Sequence, residues 1–363
     1  VDVKMGINIS ALQLRNGIPE GTVTPANARN IGTSSYDRNL RNGYAQQWNF
    51  NIQRELPAKI LFEIGYFGNK ANKLMRRTEG NWALPGAGAV NGRRRYQRVL
   101  VPGTNALVGP LANTFRHEAT ANANFNSLQM KLEKRLSAGL SLLGSYMWSK
   151  AISDGRGESG AGGVSNSLPQ NPRDLKAERS LADEHRAHRF VLSYNYDLPF
   201  GRGKAFGASW NRLADAVLGG WSMGGITTLS SGRLVSLTVQ GNPSNTGGPD
   251  RPNAIGDWRL DGSQRSLNRW FNTSAFAANA PFTFGNAGRN LLEAPGEVNF
   301  DFALYKTFSV RERIRLQFRA EAFNAMNTPQ FSSPNAQFGN PNFGVIGGAD
   351  RSRNFQLGLK LMF

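Results

Sequence analysis

Cysteine is absent from all 363 residues, which excludes a disulfide framework, a thiolate metal site and a cysteine nucleophile. Histidine is nearly absent, with only three residues, His117, His185 and His188. The stretch DEHRAHRF sets His185 and His188 three apart beside Asp183 and Glu184. A zinc site would want a third ligand and the i, i+4 helical spacing of His-Glu-x-x-His, and neither is present. GRGKAFG (201–207) has its third glycine displaced from a dinucleotide fingerprint and no βαβ pattern around it. No run approaches the ~20 apolar residues of a membrane helix, so a membrane-spanning form has to be a β-barrel. The opening VDVKMGINIS lacks the charged start, apolar core and cleavage site of a signal peptide. These absences point away from an enzyme and imply no metal or cofactor.

What is present favours strands and a positive charge. The chain carries 41 Gly, 22 Phe and 7 Trp, a composition of strands and turns. Lys plus Arg is 43 and Asp plus Glu is 25, a net charge of +18, suited to nucleic acid, an anionic membrane surface or a basic internal channel. In RIRLQFRAEA (313–322), Ile314, Leu316, Phe318, Ala320 and Ala322 share one parity, with Arg313, Arg315, Gln317, Arg319 and Glu321 on the other. At 180° per residue this is a strand with an oily and a charged face, whereas a helical period would scatter the apolar positions. RNFQLGLKLMF (353–363) repeats the pattern, with Phe355, Leu357, Leu359, Leu361 and Phe363 against Asn354, Gln356, Gly358, Lys360 and Met362. Seven further strands are expected over 43–55, 60–69, 125–135, 139–150, 187–198, 220–240 and 298–308. The charged strand is expected to run to 326.

The connections measure 4, 55, 3, 36, 21, 57, 4 and 26 residues in order. Short and long alternate without exception, as in an up-and-down membrane barrel with tight turns at one rim and long loops at the other. The parity also favours one long strand over 220–240, because a hairpin at Ser231-Gly232 would put the following loop on the turn side. A short helix within NRLADAVLGG (211–220) would suit the membrane surface. The expected fold is all-β, a transmembrane antiparallel up-and-down β-barrel. About nine strands of a larger barrel are present, because nine strands run the first and last in the same direction. Residues 1–42 read as a loop region on the extracellular side and 43–363 as the C-terminal part of the barrel.

In such a barrel the polar faces line the lumen. Arg313, Arg315, Arg319 and Lys360 are candidate lumen-facing cations, with Lys131, Arg135 and Arg189 on other polar faces. They would attract anionic solutes or seat an acidic plug, or instead pair internally with Glu133, Asp197, Asp301 and Glu321. The basic run RRRYQR (93–98) lies in a long loop, where lipopolysaccharide is a simpler partner than nucleic acid.

A family resemblance adds to this. YAQQWNFNIQREL (44–56), EIGYFGNKANKL (63–74), HRFVLSYNYDLPFGRGK (188–204), GNAGRNLLEAPGEVNFDFALYKTF (285–308) and RLQFRAEAFNAMNTPQF (315–331) resemble, in order, the barrel of Oar-like TonB-dependent receptors, outer-membrane proteins of Gram-negative bacteria. The resemblance implies a larger, plugged barrel energised through TonB by way of a plug domain with no counterpart in this chain. It implies substrate uptake across the outer membrane; a surface adhesion or export-associated barrel is the alternative. It also marks the last strand, with Phe355, Leu357, Leu359, Leu361 and Phe363, as similar to the signal read by the barrel assembly machinery. An edge strand is a template that such a machine captures by strand addition.

Overall fold

A computed structural model describes residues 3–5, 9–12, 33–96, 99–100, 107–108, 112–155, 168–311, 314–350 and 352–363. Nine long strands make one sheet: β1 (Tyr44–Leu56), β2 (Ile60–Glu79), β3 (Thr114–Ser137), β4 (Leu140–Ser153), β5 (His188–Asp197), β6 (Trp221–Ser230), β7 (Glu297–Arg311), β8 (Ile314–Phe323) and β9 (Asn354–Met362). Each pairs antiparallel with its sequence neighbour, from β1 at one edge to β9 at the other. Short turns follow β1, β3 and β7, and long connections follow β2, β4, β6 and β8. The connection after β5 carries a small helix, α1 (Arg212–Leu218), capped by Asn211, whose side chain accepts from the Ala214 N–H. No described helix is long and apolar enough to cross a membrane.

Directly paired residues in a ladder point to the same side, so the register sorts the side chains. Ile52, Ile64, Met130, Tyr146, Phe190, Leu229 and Val298 form one unbroken row across seven strands on the first face. Asn51, Gly65, Gln129, Met147 and Arg189 form a row on the opposite face. The sheet therefore has one oily side and one predominantly polar side. Trp48 lies on the oily side across from Gly68, where any Cβ would come within 2.2 Å of the indole Nε1. Glycine there lets the ring lie flat on the strand.

Four expected strands need correction. β2 and β3 hold 20 and 24 residues, where 60–69 and 125–135 were expected. At ~3.3 Å per residue they reach roughly 65–80 Å, well beyond a ~25 Å apolar band even when tilted. Their outer halves form a ribbon projecting past the sheet, so much of 70–124 is strand. The strand expected over 220–240 ends at Ser230. The chain passes Gly232 so close to the Ala294 carbonyl that a Cβ would meet its oxygen at 1.7 Å, and 234–239 pairs elsewhere. β8 likewise stops at Phe323 instead of 326. Of residues 1–42, Thr33–Tyr36 runs parallel to the start of β3.

The tightest apolar packing lies outside the sheet. Leu237, Phe271, Ala275, Phe276, Ala287 and Leu292 are buried together, with Phe338 and Phe343 against them. The Phe271–Phe276, Phe271–Phe343 and Phe338–Phe343 ring pairs are edge-on at 5.9, 5.1 and 5.6 Å, the geometry the ring quadrupoles favour. This core joins the 231–296 and 324–353 connections into a cap over the long-loop rim.

Candidate functional site

A hollow of about 590 Å³ lies against the polar face and spans β1 to β5. Asn49, Asn51, Glu63, Gln129, Lys131 and Arg189 bring hydrogen-bonding groups of both charges to it. Phe67, Met147 and Val191 add apolar patches. The sheet is thus concave on its polar side. Lys131 pairs with Glu133 at 3.0 Å, both partly exposed, so the pair contributes little to stability and remains available to a solute.

The expected lumen cations extend this face toward β9. Asp197, Ser222, Tyr305, Arg319 and Gly358 form one row, and Asp197 shares its parity on β5 with Arg189. Arg319 Nε donates to Gln317 Oε1 at 2.8 Å, and its guanidinium lies 5.6 Å from the Tyr305 ring centre. Lys360 stands opposite Gln317, and Arg315 opposite Met362, both exposed. Among the described residues none of Arg315, Arg319 and Lys360 forms an ion pair. Internal pairing holds for Lys131 and Glu133, whereas the Asp301 Oδ1 accepts the Asn324 N–H at 2.9 Å. Arg313 lies outside the described residues. Phe355, Leu357, Leu359 and Leu361 share the oily face of β9, whose outer edge has no partner among the described residues, and Phe363 is 97% exposed.

The cap was not legible as a unit. Arg251, 3% exposed, donates to Glu178 Oε1 and to the Ala287 carbonyl, both at 2.8 Å, while its backbone N–H reaches Gln170 Oε1 at 2.6 Å. Arg289 donates to the Ser153 and Glu178 carbonyls at 2.7 and 3.2 Å and to Asp183 Oδ1 at 3.2 Å. The 154–187 connection is thereby clamped to 231–296. The 80–113 connection joins through Asn245, whose Nδ2 donates to the Gly86 and Gly88 carbonyls at 2.8 and 2.9 Å.

This assigns different work to the basic run. Arg94 is buried and donates to the Asn81 carbonyl at 2.7 Å and to Asn91 Oδ1 at 2.9 Å. Arg93 donates to the Leu84 and Asn245 carbonyls. These two cations are used in holding loops, Arg94 buried and Arg93 partly exposed. A second hollow of about 410 Å³ opens beside them, with Trp82, Tyr96, Arg95, Glu79 and Glu118 in its wall.

The histidines work separately. His185 Nδ1 accepts the Ala151 N–H at 3.2 Å, and burial pushes its imidazole below the ordinary value. His188 Nδ1 is 2.8 Å from the Tyr146 hydroxyl on the oily face. Asp250 Oδ2 accepts from Asn242 Nδ2, Ser244 N and Ser244 Oγ at 2.8, 3.0 and 2.9 Å, yet burial pushes the carboxyl above its usual range.

The family model described as outer membrane beta barrel domain matches residues 4–356. No curated protein sequence matches the chain. Solved structures similar to it include the outer membrane transporter YddB from Escherichia coli, at 9% identity and a TM-score of 0.47, covering 92% of this chain and 34% of that one. BauA, the ferric preacinetobactin receptor from Acinetobacter baumannii, shares 10% identity at a TM-score of 0.42, covering 88% and 29%. The ferripyoverdine receptor of the outer membrane of Pseudomonas aeruginosa shares 9% at 0.39, covering 87% and 27%. The chain spans about a third or less of the length of these structures.

Proposed function

Since the chain belongs to the outer membrane β-barrel domain family, we propose that it is the C-terminal part of the barrel of an Oar-like TonB-dependent receptor, lining the path of a polar solute into the cell. The observation that carries this reading is the open concave polar wall. Barrels of about eight strands fill their interior with side chains, whereas 22-stranded transporters enclose a lumen wide enough for a plug. Here five adjacent strands already border a hollow of about 590 Å³. Asn49, Asn51, Gly65 and Ser145 leave room in it between longer side chains such as Lys131, Met147 and Arg189.

In this reading the Arg315, Arg319 and Lys360 side chains face the lumen, Arg313 accompanies them, and the oily face meets lipid. TonB would act through a plug contributed from outside these residues, and the unpaired β9 would be the strand captured by the assembly machinery. Residues 1–42 would lie at the extracellular rim.

The test is a deletion of the whole gene, with growth scored on single carbon, nitrogen and iron sources. At least one source should be lost, and the same source should be lost when TonB is removed. Full growth on every source would overturn active uptake.

The packed cap favours a second reading, in which the barrel presents a surface for adhesion. Its hollow beside Trp82 and Tyr96 combines aromatic and charged walls. Under that reading the deletion lowers attachment of cells to surfaces and leaves nutrition intact.

A further inference from the structure

The connection between β5 and β6 is built differently from the other turns at its rim. We propose that α1 is a membrane-interface anchor, lying against the outside of the barrel with its apolar stripe in the lipid leaflet at the short-turn rim. This inference rests on the outer-membrane barrel and not on transport.

The first observation is where the helix is held. Trp221, Lys306, Phe318 and Leu359 form one row across β6 to β9 on the oily face. Trp221 Nε1 donates to the Val217 carbonyl at 2.9 Å. Lys306 Nζ donates to the same carbonyl at 3.3 Å and to the Gly219 carbonyl. Two side chains from the lipid-facing row therefore grip the C-terminal end of α1. A cation suits that end, where helix carbonyls lack partners and the dipole is negative. The Lys306 ammonium also sits 5.2 Å from both the Trp221 and Phe308 ring centres. A lysine on a lipid face is costly, and α1 with these rings withdraws this one to 4% exposure.

The second observation is which side of the helix is left outward. Asp215 faces the turn, where its Oδ1 accepts the Arg202 N–H at 2.7 Å. The opposite stripe at i and i+4 spacing holds Leu213 and Val217, 80% and 65% exposed. A helix facing water would reverse this arrangement. Phe206 nearby is 59% exposed, and Arg202, Lys204 and Arg212 are exposed around it. Apolar residues rimmed by cations match the boundary between acyl chains and anionic headgroups. The stripe also continues the oily face of the sheet, because the row that holds the helix lies on it.

The experiment uses the full-length protein folded into vesicles of phosphatidylethanolamine and phosphatidylglycerol. These 363 residues contain no cysteine, so single nitroxide labels can be placed in them by Leu213→Cys, Ala216→Cys, Val217→Cys and Ile255→Cys, the last on an exposed part of the cap. Folding is checked by heat-modifiable mobility on gels, and the three stripe positions substitute for one another if one variant fails. Labels on the stripe should collide more with dissolved oxygen than with a water-soluble nickel chelate, and the Ile255 label should do the reverse. Equal chelate access at 213, 217 and 255 would overturn the anchor. Shielding of the stripe from both reagents would overturn it too, because it would mean that another protein covers α1. Lys306→Gln should narrow the spectrum of the Val217 label as the helix loosens; an unchanged spectrum would remove Lys306 from the device.

Discussion

Arg251 and Glu178 are separated by 73 positions and meet with both side chains almost wholly withdrawn from solvent. Replacing one partner leaves the other charge buried and uncompensated, which costs about 3–5 kcal/mol. Arg251→Met should therefore raise amide hydrogen exchange around 168–180 and 285–292 sharply, while the sheet strands keep their protection. Uniform protection would show that the phenylalanine core holds the cap alone. On the sheet, Leu359 and Gln356 lie on opposite faces. Leu359→Arg should cost ~2–4 kcal/mol of barrel stability in a denaturant titration in lipid, with Gln356→Arg tolerated better. Equal loss at both positions would contradict the assigned facing.

At the scale of elements, the end of the β4–β5 connection is held partly by His185. Its Nδ1 lone pair accepts a backbone N–H, so a proton there removes the bond. The imidazole is depressed below its ordinary value by burial, and an unfolded histidine titrates near 6.5. The folded state thus binds fewer protons than the unfolded one in that window, and stability rises with pH. The contact should be at full strength above about pH 6.5 and weaken as the pH falls toward the depressed value. His185→Gln should flatten this slope in hydrogen exchange of residues 149–153. Asp250 has the opposite sense, since its raised carboxyl makes the burial penalty grow as pH rises through the acid range; Asp250→Asn should remove that part of the slope.

The same elements explain what could be read in advance. The strands within 314–323 and 354–362 were legible because a sheet with one oily and one polar face imposes strict alternation. Residues 70–79 and 114–124 carry no such alternation, and they form the ribbon beyond the nine-stranded sheet. Leu234 to Val239 alternates like a strand of the sheet, but parity is blind to depth, and these residues pack into the cap. The cap itself depends on partners such as Phe271 with Phe343 and Arg251 with Glu178, and no local period marks a contact between distant loops.

For the whole molecule, the directions of the edge strands set a limit. β1 and β9 both run from the long-loop rim to the turn rim, and among the described residues each leaves one side unpaired. An up-and-down barrel closes through antiparallel neighbours, so these 363 residues folded alone should not reach a closed, heat-modifiable monomer. They should instead associate through their free edges, as light scattering would record. A monomeric closed species would show that the two edges can pair directly.

If the long-loop rim faces outward, as proposed, the interlocked cap also bears on how antibodies or a phage would recognise the cell surface. Two of its connections share one core, and the others are tied to them by side-chain hydrogen bonds. Its outer relief is therefore a shape assembled from segments far apart in the chain. Antibodies raised against single loop peptides should bind the denatured protein and miss the intact cell, whereas those raised against the folded barrel should recognise epitopes that no linear peptide reproduces.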